Sequence, residues 1–145
     1  MEIPKYVTVD EVKRVCRELK ISDWTQKKEP KISLKEAKII LAEVNKGKMN
    51  IEPKEFQAGL EVELEHGLQF KDANVTNNHP LLTALIVLAH FKESLVFVGL
   101  LEVAELEGDL FKAVVRGQAK KVKDYYARLA KARITLRKAE LSRLA

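Results

Sequence analysis

The sequence contains little cysteine, proline or glycine, the residues that cross-link a chain, interrupt its helices or make it flexible. Cys16 is its only cysteine, which excludes an intramolecular disulfide and leads us to expect a reducing, cytoplasmic location. Four prolines and six glycines in 145 residues exclude a disordered Pro/Gly-rich linker. The opening segment, MEIPKYVTVDEV, lacks the basic-then-apolar layout of a signal peptide. The length of 145 residues predicts a single domain over residues 1–145.

Long apolar runs and alternating patterns are missing too. The most apolar stretch, residues 81–106, carries His90, Lys92 and Glu93 near its middle, and the run before them is too short to span a bilayer. We therefore expect no membrane association and, instead, a long central apolar helix that is buried. No segment alternates with period two for long enough to indicate a sheet, so the predicted fold class is all-α.

Helix-start signals divide the chain into elements. The segments Thr8-Val-Asp-Glu11 and Ser33-Leu-Lys-Glu36 both fit the capping box, which predicts helices that begin near residues 9 and 34. A third helix is predicted from Pro53 to Gly67, since proline favours the first turn and glycine the end of a helix.

The second half of the chain is predicted to form a helical hairpin that turns at Gly108. Segments of about fourteen and fifteen residues flank Gly108, so a turn there would return Asp124 to the side of Glu93. Residues 130–145 then form a basic C-terminal helical extension. The expected architecture is a bundle of five to six helices.

The segment GLEVELEHG, residues 59–67, concentrates acidic side chains beside a histidine. On a helix with 100° per residue, Glu63 and His66 fall on the face that carries the aliphatic residues. Glu61 and Glu65 fall on the opposite side. We therefore predict that Glu63 and His66 are buried and face the next helix, while Glu61 and Glu65 are solvated.

Two carboxylate–imidazole pairs one helical turn apart make this region a candidate polar site. Glu63 and His66 form the first pair, and His90 and Glu93 form the second on the following helix. Helical bundles hold divalent metal ions with such pairs, and this donor set suits Zn, Fe or Mn. The same four side chains could also satisfy one another in a metal-free hydrogen-bond network. The sequence leaves both interpretations open.

Four segments together resemble a family of small prokaryotic and viral proteins, a domain of unknown function: GLEVELEHG at 59–67, NVTNNHP at 74–80, LAHFKE at 88–93 and DYYARL at 124–129. The resemblance brings no established activity. It implies that the following are family-motif positions: Glu63, Glu65, His66, His90, Glu93, Asp124 and Tyr125. This chain departs from the pattern in two places. His79 stands where an acidic helix cap would be more usual before Pro80. Residues 94–123 separate LAHFKE from DYYARL, which follow each other almost directly in shorter relatives, so the resemblance implies that residues 94–123 are an inserted helical hairpin.

Charge is distributed unevenly along the chain. The net charge is +5, yet residues 116–145 alone contain ten Lys/Arg and two Asp/Glu. The excess of Lys, Glu and Arg over Gln, Asn and Ser is compatible with a thermophilic source. The basic segment indicates either a solvated face or phosphate contacts with nucleic acid. The candidate contact residues are Lys120, Lys121, Lys123, Arg128, Lys131 and Lys138.

These patterns favour a cytoplasmic binding or scaffold protein over an enzyme. The sequence has no glycine-rich phosphate loop and no motif for a Ser–His–Asp arrangement. The leading hypothesis is a helical protein with an inward Glu/His site that binds a ligand or a divalent metal. The alternative is nucleic-acid or ribonucleoprotein binding through the basic segment. An acidic protein surface and self-association remain open as partners.

Overall fold

A computed structural model describes residues 7–144, and every regular element within that range is helical. Six α-helices and one short 3₁₀ turn follow one another along the chain, which confirms the prediction of an all-α protein with five to six helices. Their bounds are α1 Val9–Glu18, the 3₁₀ turn Trp24–Gln26, α2 Leu34–Val44, α3 Pro53–Gln69, α4 Pro80–Glu93, α5 Phe97–Val115 and α6 Ala119–Leu144.

The chain divides into two compact units, Met1–Lys92 and Glu93–Ala145. The first contains α1 to α4, and the second contains α5 and α6. The largest fully buried side chains all lie between Val12 and Phe91, so the first unit holds the densest apolar core. The single domain expected over residues 1–145 stays a prediction.

The capping signals place the first two long helices correctly. Thr8 Oγ1 accepts a hydrogen bond from the backbone N–H of Glu11 at 3.2 Å, at the start of α1. Ser33 and Glu36 form a complete capping box at the start of α2. In both cases a side-chain oxygen satisfies an N–H group that the first helical turn leaves without a partner.

The long apolar helix predicted over residues 81–106 is instead two helices. α4 ends at Glu93, where Ser94 Oγ accepts a hydrogen bond from the Val96 backbone N–H at 3.3 Å and thereby competes with helix continuation. Among the described residues no single helix is long and apolar enough to cross a membrane. The α4–α5 pair passes that test only when joined across its break.

The hairpin turns at Gly117, and the predicted turn at Gly108 is wrong. α5 runs through Gly108 without interruption, and the chain reverses after Val115. Gly117 has a φ of +64°, a conformation that glycine adopts without steric strain. The helix continues through Gly108 because residues spaced three and four apart on both sides of it pack against α6.

The true turn changes where the DYYARL segment lies. In the antiparallel α5–α6 pair, Gly99 lies against Leu136 and Leu106 packs with Leu129. This register places Asp124 roughly level with Phe111, about 20 Å along α5 from its start, so Asp124 does not return beside Glu93. Residues 94–123 therefore contain the whole of α5, the turn at Gly117 and the first residues of α6.

Candidate functional site around Glu63

Glu63 occupies the inward face of α3, as predicted, and its side chain is only 18% exposed. Its Oε1 atom lies 3.7 Å from Nε2 of His90 on α4, and its Oε2 atom lies 4.0 Å from Nδ1 of His66. These separations are within ion-pair range but longer than hydrogen bonds. One carboxylate therefore lies between two imidazoles, and the attraction strengthens when either ring is protonated.

His66 does not share this burial. Its side chain is 51% exposed, so the prediction of a buried His66 is wrong. The ring lines the open pocket described below, whereas the next residue of α3, Gly67, is buried. Glu65 is exposed, as predicted, and accepts a hydrogen bond from Gln69 Nε2 at 2.7 Å.

Glu61 is not a solvated residue. Its Oε1 atom accepts a hydrogen bond from the backbone N–H of Ile32 at 3.0 Å, and its Oε2 atom lies 3.5 Å from Nζ of Lys31. The prediction of a solvated Glu61 is wrong because the extended segment before α2 packs along the other side of α3. A helical wheel assigns one apolar face and does not detect a backbone donor on the opposite side.

A pocket of about 280 Å³ opens beside Glu63 and His66 within the first unit. It lies between the C-terminal half of α3, the connection to α4 and the first turns of α4. Acidic, imidazole, amide and hydroxyl groups share its wall with apolar side chains. The lining residues are Glu63, His66, Gly67, Phe70, Ala73, Asn74, Val75, Thr76, Thr83 and Ile86.

The loop NVTNNHP forms one wall of the pocket because α3 lets it approach closely. Asn74 Nδ2 donates hydrogen bonds to the Gly67 carbonyl at 3.1 Å and to Asn78 Oδ1 at 3.0 Å. A Cβ atom at Gly67 would clash with that Asn78 oxygen. Asn77 and Asn78 have φ values of +48° and +56°, in the left-handed region where asparagine is enriched. The last glycine of GLEVELEHG and the asparagines of NVTNNHP therefore meet in one packing contact.

Gly59 sets the spacing between α3 and α4. A Cβ atom there would lie 2.7 Å from Cγ1 of Val87, closer than carbon atoms pack. The absent side chain lets the two helices approach, and this approach brings His90 on α4 within reach of Glu63 on α3. Gly59 therefore affects the site indirectly, because it lets α3 and α4 pack closely.

His79 caps α4 with its imidazole. From the sequence, this residue was noted only as a departure from the family pattern. Its Nδ1 atom accepts hydrogen bonds from the backbone N–H groups of Leu81 at 3.2 Å and Leu82 at 3.3 Å. Burial lowers the pKa of His79, and the Glu11 carboxylate 3.9 Å from its Nε2 atom partly opposes that shift. The ring therefore favours the neutral form that a hydrogen-bond acceptor requires.

The predicted metal quartet is not assembled as a group. Across residues 7–144, no three His, Cys, Asp or Glu side chains are arranged to hold a metal ion. The distances from Glu63 to His66 and His90 exceed the roughly 3.3 Å expected for two atoms that share a tetrahedral zinc ion. Glu93 is exposed at the last position of α4. Binding of Zn, Fe or Mn by Glu63, His66, His90 and Glu93 stays a prediction.

The basic side chains of α6 are all presented to solvent. Arg128 stacks on the ring of Tyr125 at 5.6 Å, and Tyr125 packs against the Leu106–Leu129 cluster. Asp124 is exposed. The six candidate contact residues are exposed, and within the described range none forms an ion pair: Lys120, Lys121, Lys123, Arg128, Lys131 and Lys138.

The fold and the pocket define an all-α protein whose first helical unit contains a small, mixed polar and apolar pocket. The chain belongs to the family described as Protein of unknown function (DUF5661), whose model matches residues 12–107. No curated protein and no solved structure matches it. The match includes the whole pocket and confirms the predicted membership of an uncharacterised family. Asp124 and Tyr125 lie outside the matched range, so their assignment as motif positions stays a prediction.

Proposed function

We propose that the chain is a binding protein whose pocket at Glu63 takes a compact molecule with a protonated amine. The observation that carries this proposal is the 280 Å³ pocket, which places a largely buried carboxylate beside apolar side chains. This volume is near the lower end of the range for ligand pockets, which begins at about 300 Å³. The proposal therefore specifies a ligand of about one ring.

The exposed apolar residues of the pocket support the same conclusion. Phe70 is 53% exposed and Val75 is 82% exposed, although both line the pocket. A bound ring would cover these side chains and gain free energy from the apolar surface that it removes from water. The carboxylate of Glu63 would accept a charge-assisted hydrogen bond from the ammonium group. Thr76 and Thr83 add hydroxyl groups at the same pocket.

Titration with benzylamine, followed by backbone amide shifts in NMR spectra, tests this proposal. Saturable shifts should concentrate at the pocket residues, and benzyl alcohol, which has the same ring but no charge, should bind at least about tenfold more weakly. Shifts spread evenly over the surface, or equal affinities for the two compounds, would argue against an amine site.

A narrower hypothesis is that this region binds a divalent metal ion through Glu63, His66, His90 and Glu93. The same titration distinguishes a metal site from an amine site. Protein treated with a chelator should bind benzylamine with unchanged affinity, because the carboxylate itself holds the ammonium group. Restoration of lost binding by Zn²⁺ would instead favour the metal hypothesis.

We propose nucleic-acid binding through α6 as a second candidate function. The observation that favours it is the set of six exposed basic side chains that form no ion pair within the described range. Charges of one sign without local partners attract the phosphate backbone and displace its counterions. Such contacts would be independent of base sequence.

Binding to duplex DNA at several salt concentrations tests this second function. Four to six phosphate contacts predict a log–log salt slope of about −3 to −5. The double variant Lys131→Glu and Lys138→Glu should lose affinity for unrelated sequences alike. Lys35→Glu and Lys38→Glu, on the exposed surface of α2, make the same change in net charge and should lose much less. Equal losses of affinity in the two double variants would show that DNA binding depends only on the net charge of the protein.

A further inference from the structure

The backbone around Asn74 fixes the orientation of its side-chain amide at the pocket wall. Its Nδ2 group donates to the Gly67 carbonyl at 3.1 Å, and its Oδ1 atom accepts from the backbone N–H of Asn78 at 3.4 Å. Because a carbonyl only accepts and a backbone N–H only donates, the amide nitrogen and oxygen cannot be exchanged. The second Nδ2 proton serves Asn78 Oδ1 at 3.0 Å. Both amide protons of Asn74 are therefore used within the protein.

The orientation of Asn74 sets the direction of the two hydroxyl groups in the pocket. Thr76 Oγ1 lies 3.3 Å from Asn74 Oδ1, and Thr76 is the donor because an amide oxygen has no proton. Thr76 Oγ1 also lies 3.4 Å from Thr83 Oγ1. Since a hydroxyl group has one proton, Thr83 donates in this second pair and Thr76 accepts. Both protons are used between protein groups, and the two hydroxyl oxygens offer a ligand only lone pairs.

The remaining wall of the pocket offers acceptors as well. Glu63 contributes a carboxylate, which accepts hydrogen bonds and donates none. Among the lining side chains, all of which lie within residues 7–144, His66 alone has an N–H that donates no hydrogen bond, and its ring is half exposed. Three backbone N–H groups of the wall already donate to carbonyls, those of Phe70, Ala73 and Val75. A ligand therefore meets acceptors both at the carboxylate and at the two hydroxyl groups.

We infer that the ligand of this pocket carries a second hydrogen-bond donor, an O–H or N–H group on its ring, in addition to the ammonium group. The inference rests on the proposed amine site at Glu63. A donor at Thr76 would use the lone pair that Thr83 leaves free. An acceptor at the same point would face that lone pair and lose the hydrogen bond that it makes with water. Thr83 is only 2% exposed, so water does not compensate such a loss there.

NMR titration of the full chain with ring-substituted benzylamines tests the second donor. Hydroxybenzylamine and fluorobenzylamine, each with its substituent at the ortho, meta or para position, have similar sizes, but only the hydroxyl group donates. At one ring position at least, the hydroxyl compound should bind about fivefold or more tightly than its fluoro counterpart. Equal affinities of the hydroxyl and fluoro compounds at all three positions, with benzylamine still bound, would overturn the second donor alone. A chain that binds none of these amines would overturn the amine site, and the second donor with it.

Variants of Thr76 identify the group that receives the donor. Thr76→Val removes the hydroxyl group and should bring the affinity ratio of the hydroxyl and fluoro compounds to within about twofold of one. Thr76→Ser keeps a hydroxyl group and should retain the ratio. Thr135→Val removes a hydroxyl group from the exposed surface of α6 and should leave the ratio unchanged. Circular dichroism checks that each variant is folded, and the comparison of ligands on the wild type depends on none of them. A ratio that survives Thr76→Val in a folded protein would overturn the inference.

Discussion

At the scale of single residues, His79 is the side chain through which we expect pH to affect the stability of the family-matched unit. The imidazole accepts two backbone hydrogen bonds at the start of α4, where serine, threonine or aspartate usually serve. A proton on Nδ1 would remove this acceptor and would place positive charge at the positive end of the helix dipole. The fold therefore requires the neutral ring.

This requirement predicts a pH-dependent contribution to the free energy of unfolding. Because the pKa of His79 lies below its ordinary value of 6.5 in the folded chain, the contribution is complete above about pH 6.5 and is lost as the pH falls through the folded pKa. His79→Asn keeps a capping side chain that does not titrate. Between pH 7.5 and 5, the wild type should therefore lose more of its free energy of unfolding than the variant does. Parallel pH profiles in urea unfolding would contradict this role.

At the scale of elements, Glu36 ties the start of α2 to the segment that follows α1. Its carboxylate accepts hydrogen bonds from the backbone and the hydroxyl group of both Ser22 and Ser33, at 2.5 to 3.0 Å. Burial alone would raise the pKa of Glu36, but these four hydrogen bonds outweigh burial and lower it to about 2. The capping box predicted from the sequence thus has a second, long-range partner in Ser22.

Glu36→Gln should destabilise the protein by about 1 to 2 kcal/mol at pH 7, after allowance for the solvent screening of a partly exposed carboxylate. A depressed pKa stabilises the fold above the unfolded value of 4.5, and this contribution disappears as the pH falls toward 2. The difference between wild type and variant should therefore shrink over that range. Glu43→Gln, at an exposed position on α2, should change stability by less than about 0.5 kcal/mol. A constant difference at all pH values would refute the carboxylate's role.

The elements also show how far the sequence could predict the fold. Helix starts at Thr8 and Ser33 were predictable because capping is local, and the inward Glu63 was predictable from helical periodicity. The break after Glu93 was not predictable. A helix that is apolar on all sides shows no change in its hydrophobic pattern at the residue where it ends. The turn at Gly117 was predictable from the sequence. The packing stripe of α5 continues with helical spacing through Gly108, which argues against a turn there.

The candidate site was only partly predictable, for a related reason. Periodicity shows which residues share a face, but it does not show where a helix leaves the core or what crosses its far side. His66 lies beside an open pocket, and Glu61 receives a backbone donor from Ile32, twenty-nine positions earlier. The pocket wall itself depends on Asn74 reaching Gly67, a contact that no local pattern reveals.

At the scale of the whole molecule, the two units separate the proposed activities. The pocket lies entirely within the residues that the family model matches, whereas α6 lies outside them. The ligand site is therefore expected to be a property of the family. The basic helix α6 is expected to vary among relatives that share the matched part.

The most direct measurement is the dissociation constant of benzylamine for two matched variants, Glu63→Gln and Glu65→Gln. Both remove one negative charge from α3, but only Glu63 lines the pocket. The proposal predicts that Glu63→Gln weakens binding by about tenfold or more through loss of a charge-assisted hydrogen bond, while Glu65→Gln leaves it within about twofold of the wild type. Equal affinities for the two folded variants would contradict a ligand site at Glu63.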